Sequence, residues 1–191
     1  PNTEHVAAVR LDTTGLQRLY TYASNNGTLA KPQLLLEDVE VAYFAFNDEQ
    51  QLMASVLAGG QLDLVLADLQ AKEVVPYLEN AGRSIHNVPG SESMSYTVVN
   101  EDKNHEVYLL DLRKPEETYF ACQLPIGIQD HTWLNRDTLL IGSRSKLYTY
   151  NLFEKGDWTE VADLSSYGIT NITRITVSPD GKKLAFAAEV E

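Results

Sequence analysis

Four short phrases recur along this chain at nearly constant distance. They are LYTYAS, LVLADL, VYLLDL and LYTYNL, and their Ala23, Asp68, Asp111 and Asn151 lie 45, 43 and 40 residues apart. Around each phrase stand other runs of strand length, rich in β-branched and apolar residues and bounded by Gly, Pro, Asn and Asp; no helical period is sustained. A period of about 40–45 residues with four strands per repeat is the signature of a β-propeller blade. Such a blade is a small twisted antiparallel sheet whose two faces are both covered by neighbours, which accounts for apolar strands that lack strict alternation.

In chain order the units are approximately 1–39 (incomplete), 40–82, 83–127, 128–169 and 170–191 (incomplete), taken together as one partial propeller domain over 1–191. The first shows strands at His5–Leu11 and Leu19–Tyr22 and an apolar run at Gln33–Leu36. The second has strands at Val41–Phe46, Leu52–Leu57, Leu64–Leu69 and Val74–Leu78, turning at Gly59-Gly60. Pro76 has no amide to donate, so that fourth strand belongs at a sheet edge. The third and fourth units repeat the scheme, with first strands at Ser84–Val88 and His131–Leu134. The last opens on a hairpin about Ser178-Pro179-Asp180-Gly181, where proline presets φ and Asp-Gly tolerates positive φ. Pro1–His5 occupy the place that Pro179–Lys183 hold in that last unit. The reading therefore expects the C-terminal part of a longer propeller, with roughly 80–120 residues upstream at the ~40-residue blade period.

Charge narrows the partners. With 27 acidic against 15 basic residues the formal net charge is −12, a field that repels phosphate backbones and argues against nucleic-acid binding. No window approaches the roughly 20 apolar residues that span a bilayer. Pro1–His5 have neither the basic nor the apolar region of a signal peptide. The single Cys122 permits no intramolecular disulfide and reads as a buried thiol. A monomer is expected.

The SPDGKKLAF turn, the LYTY and LVLADL third strands and the LLLED ending resemble the TolB-type, WD-like propeller repeat of bacteria. The longer phrases LLLEDVEVAYFAF, NAGRSIHNVPG, WTEVADLS and ITRITVSPDGKKLAFAAE are similar to the exported TolB-like propeller proteins of Bacteroidetes-type bacteria. The resemblance covers essentially the whole chain. It implies an all-β propeller of four-stranded antiparallel blades, six in the intact ring, and a periplasmic or otherwise exported address. It implies function weakly, since propellers host unrelated activities. The departures are in the turns: FNDE, VPGS and LNRD replace Ser-Pro-Asp-Gly in three units.

Aligning the units puts Tyr43, Phe44, Arg83, Ser84, His86, Asp130, His131, Thr173 and Arg174 on or beside innermost strands, around one mouth of the propeller channel. Aromatic, basic and hydroxyl groups so mixed suit a peptide, sugar or small acidic ligand. Of these, Tyr43, Arg83, Ser84, His86, Asp130, His131 and Arg174 are the candidate binding residues. His86 and His131, with Asp130 adjacent, are also candidate ligands for a divalent ion, but the three or four ligands of a metal centre are not visible. No G-x-S-x-G occurs, and Asn100–Asn104 lacks the glycine and terminal glutamate of a calcium loop. The reading is a non-enzymatic scaffold for a protein, peptide or glycan partner, with no catalytic residue, metal or cofactor assigned. The alternative is a metal-dependent polysaccharide lyase or hydrolase using the channel.

Overall fold

A computed structural model describes residues 5–25, 28–29 and 31–191. The chain divides into two compact units, Pro1–Ile85 and His86–Glu191. Strands and turns make up nearly all of the described residues, with one short 3-10 helix at Ser165–Tyr167.

In the first unit β1 (His5–Leu11) pairs with β2 (Gln17–Asn25), which also pairs with β3 (Thr28–Leu29) and β4 (Gln33–Leu34). The run expected at Gln33–Leu36 pairs over two residues only. Leu36 is instead buried in a core with Leu19, Val41, Leu52, Ala54 and Val65. The second sheet is an uninterrupted meander of β5 (Val41–Phe46), β6 (Gln51–Ala58), β7 (Gln61–Asp68) and β8 (Glu73–Leu78). Gly59 and Gly60 close β6 onto β7 at φ 57° and 93°, the double positive φ of a two-residue turn whose twist matches the strands. Pro76 lies on β8, the outer strand of this sheet, as its missing donor requires.

The unit boundary falls within β9 (Ala81–Asn87). The sheet that begins with β9 continues through β10 (Ser93–Val99), β11 (His105–Asp111) and β12 (Thr118–Gln123). Another meander follows: β13 (Thr132–Trp133), β14 (Thr138–Ser143), β15 (Lys146–Asn151) and β16 (Thr159–Asp163). The hairpin β17 (Ile169–Val177) and β18 (Leu184–Val190) ends the chain. Val88, Val107, Cys122, Leu124, Trp133, Leu139 and Ile141 form one core of the second unit, and Leu140, Leu147, Ile172 and Ile175 another. Cys122 is buried within the first of these, and burial pushes its thiol pKa up to about 12, so it stays protonated and inert.

The structure gives the repeat a local cause. Asp68, Asp111 and Asn151 are the last residues of β7, β11 and β15, and each turns the chain outward with a side-chain oxygen. Asp68 Oδ1 accepts from the amides of Gln70 and Ala71 at 2.9 and 2.8 Å, Asp111 Oδ1 from Arg113 at 3.0 Å, and Asn151 Oδ1 from Phe153 at 2.9 Å. Such Asx turns satisfy amides that the ladder leaves behind. The first turns of the sheets, divergent or intact, use the same device. Asp48 Oδ1 accepts from Gln51 at 2.7 Å, Ser91 Oγ from Ser93 at 3.1 Å, Asn135 Oδ1 from Asp137 at 2.9 Å and Asp180 Oδ1 from Lys182 at 3.1 Å. The last turn corrects one expectation. The Gly181 amide closes a four-residue turn on the Ser178 carbonyl at 2.8 Å, and Gly181 takes positive φ, 69°, whereas Asp180 does not. Asp180 serves there as a hydrogen-bond acceptor.

Candidate functional site

Four of the seven candidate residues converge in the second unit. His86 is on β9, Asp130 and His131 immediately precede β13, and Arg174 is on β17. These are the first strands of three successive sheets, and β17 lies against β13. His131 stands one residue outside the two-residue ladder of β13, so the strand expected at His131–Leu134 is shorter than its apolar run. The other three candidates belong to the first unit. Tyr43 lies on β5 opposite Ser55, and Arg83 and Ser84 lie on the first half of β9. Ser84 is buried, and strand alternation turns it to the same face as His86.

The imidazoles of His86 and His131 meet edge to face with ring centres 5.0 Å apart. His131 is fully buried, and its Nε2 lies 2.8 Å from Ser95 Oγ. The same hydroxyl accepts the Trp133 indole N–H at 2.8 Å and donates to the His86 carbonyl across 3.4 Å. Ser95, on β10, therefore ties one sheet to the residues that open the next. A serine in Met94-Ser95-Tyr96 carries no sequence signal for this, because its partners stand 36 and 38 residues away.

Burial sets the charge state. Desolvation draws the His86 pKa down to about 4, against the opposing pull of the Asp130 carboxylate and a hydrogen bond to the His131 backbone. Burial, and then the positive form of His86, hold His131 well below the ordinary histidine value. Both rings are neutral near pH 7. At the surface Arg174, with 45% of its side chain exposed, is held by Asp130 at 3.3 Å and by the Thr173 carbonyl at 2.8 Å. Asp130 itself is mostly covered, with 15% of its side chain exposed. The arrangement combines a guanidinium positioned by Asp130 with a pair of neutral hydrogen-bonding rings. Among the described residues no group of three or more His, Cys, Asp and Glu is disposed to hold a metal ion.

Small residues recur where one sheet meets the next strand. Ser55 Oγ donates to the Gly82 carbonyl at 2.7 Å in the first unit, Ser95 reaches His131, and Gly142 backs onto Ile172. A Cβ on Gly142 would fall 2.8 Å from that of Ile172, closer than side chains tolerate.

Successive four-stranded antiparallel meanders, clasped in this way from second strand to next first strand, are blades of a β-propeller. More narrowly, the fold is that of a TolB-like propeller. The chain is similar to TolB from Acinetobacter baumannii, with a TM-score of 0.68 and 18% identity over 95% of this chain and 46% of that one. It is similar to the putative TolB from Agrobacterium tumefaciens, with a TM-score of 0.70 and 10% identity over 96% and 71% of the two chains. A puromycin-hydrolyzing peptidase from Mycobacterium tuberculosis superposes with a TM-score of 0.57 and 13% identity over 98% of this chain and 32% of that one. The chain thus spans just under half the length of the Acinetobacter TolB. No protein-family model matches the sequence, and no curated protein matches it. At these identities the likeness establishes the fold alone, and a fold shared with a peptidase leaves activity to be argued from the site.

Proposed function

We propose that this chain is part of a non-enzymatic TolB-like propeller scaffold that binds a protein, peptide or glycan partner in the bacterial cell envelope. Contact is made through Arg174, Asp130, His86 and His131 of the second unit; Tyr43, Arg83 and Ser84 are candidate contacts of the first unit by themselves. The observation that carries this reading is Arg174, a half-exposed guanidinium whose carboxylate partner is mostly buried. An acidic group on a partner would meet a cation already oriented. The histidines support binding rather than proton transfer, because a general acid or base works best with a pKa near the working pH, and these rings are held well below it. The envelope address rests on the sequence resemblance to exported TolB-like proteins.

The test is retention of envelope-extract components on the immobilised protein and on Arg83→Ala, His86→Asn and Arg174→Ala. A partner retained by the parent chain and lost from Arg174→Ala supports the proposal. Equal retention by all three variants counts against the mouth as the site.

A further inference from the structure

Away from that cluster, the second unit holds an open cleft of about 540 Å³ between the segment leaving β12 and the outer part of the next sheet. Its lining includes Gln123 and Ile126 from the segment leaving β12 and Ser143, Tyr148, Asp157 and Trp158 from the next sheet. The Trp158 indole is pinned from two directions, donating from Nε1 to the Gln123 carbonyl at 3.2 Å and lying 5.4 Å from the Tyr150 ring. The amide of Trp158 donates to Asp157 Oδ1 at 2.7 Å, which fixes the carboxylate beside the indole. Asp157 is the one charged residue of the lining, and Ile126 projects at the rim with 86% of its surface exposed.

We propose that this cleft is a second binding site and that it takes a basic peptide side chain, arginine above all. Its chemistry is that of a cation receptor. Indole and phenol ring faces attract a positive group through their quadrupoles. The Asp157 carboxylate supplies the opposite charge, and the Ser143 hydroxyl and Gln123 amide oxygen can accept further N–H donors. A guanidinium fits better than an ammonium because its planar fork can both stack on Trp158 and bond a carboxylate. Ile126 offers apolar surface to the methylene stem of such a side chain. The net charge of −12 reinforces attraction of a cationic partner. A neutral sugar can also stack on an indole but gains nothing from this charge.

The chain has two tryptophans, so an isotope-labelled sample gives two indole N–H signals, and buried Trp133 serves as the silent reference. N-acetyl-arginine amide is titrated, with N-acetyl-norleucine amide and methyl glucoside as comparators. The expected result is a saturable shift of the Trp158 signal with the arginine probe alone. Asp157→Asn, at an exposed position where the acceptor oxygen is retained, should weaken it about ten-fold, the scale of one charge-assisted hydrogen bond. Equal binding of norleucine amide or glucoside, an unsaturated shift, or undiminished affinity in a folded Asp157→Asn would overturn the proposal. The readout is confined to Trp158, so its failure leaves the Arg174 reading standing.

Discussion

At Ser95 a single hydroxyl meets the Trp133 indole and the His131 imidazole, both at 2.8 Å. Ser95→Ala removes the shared partner of two buried rings, and leaving such groups unsatisfied costs roughly 1–3 kcal/mol. The urea midpoint should fall accordingly; an unchanged midpoint would mean that the hydroxyl is dispensable. The histidine pair makes a separate prediction about pH. Both rings have depressed pKa values in the folded state, so as pH falls the unfolded chain takes up protons first. Stability is therefore complete above the ordinary histidine value of 6.5 and is lost as pH falls towards about 4, the folded value for His86. For His86 the loss approaches about 3 kcal/mol by that linkage, and His131 adds in the same direction. Unfolding of the parent chain at pH 7 and pH 5 should show it, with a flatter dependence in His86→Asn. Equal stability at the two pH values would contradict the neutral-pair account.

The strands were legible where burial and pairing coincide. Val41–Phe46 stands in the structure with the bounds its sequence suggests, and Pro76 marks an outer strand because a proline cannot serve an inner one. Leu36 looks like a strand residue but serves the core beyond the two-residue ladder of β4, since apolar character reports burial and not pairing. Asp68, Asp111 and Asn151 mark the period in three of the four phrases, where their side chains cap the turn that follows; Ala23 in the first phrase has no such side chain. The clasp between sheets was not legible, since nothing adjacent to Gly142 in sequence shows that Ile172 will rest on it. Gly142→Ala should therefore destabilise the second unit by about 1–3 kcal/mol, the usual cost of overpacking. In a double-mutant cycle Ile172→Ala, which removes the Cγ2 nearest the added methyl, should recover part of that loss. Strict additivity of the two changes would deny the contact.

On the scale of the whole molecule, fold and function separate. Period and strand content sufficed for a propeller, and the structure is similar to TolB chains at identities too low to carry an activity. Of the candidate site, alignment of first strands sufficed to bring His86, Asp130, His131 and Arg174 into one neighbourhood. The neutrality of the rings and the role of Ser95 required the packed structure. The central claim is that this neighbourhood binds a partner through Arg174. The most direct measurement is an amide-resolved NMR titration with acidic peptides and uronic-acid oligosaccharides, on the parent chain and on Arg174→Ala. The account predicts saturable shifts concentrated at His86, His131, Thr173 and Arg174 that vanish in the variant. Shifts that leave those amides silent, or an affinity that survives Arg174→Ala, would contradict it.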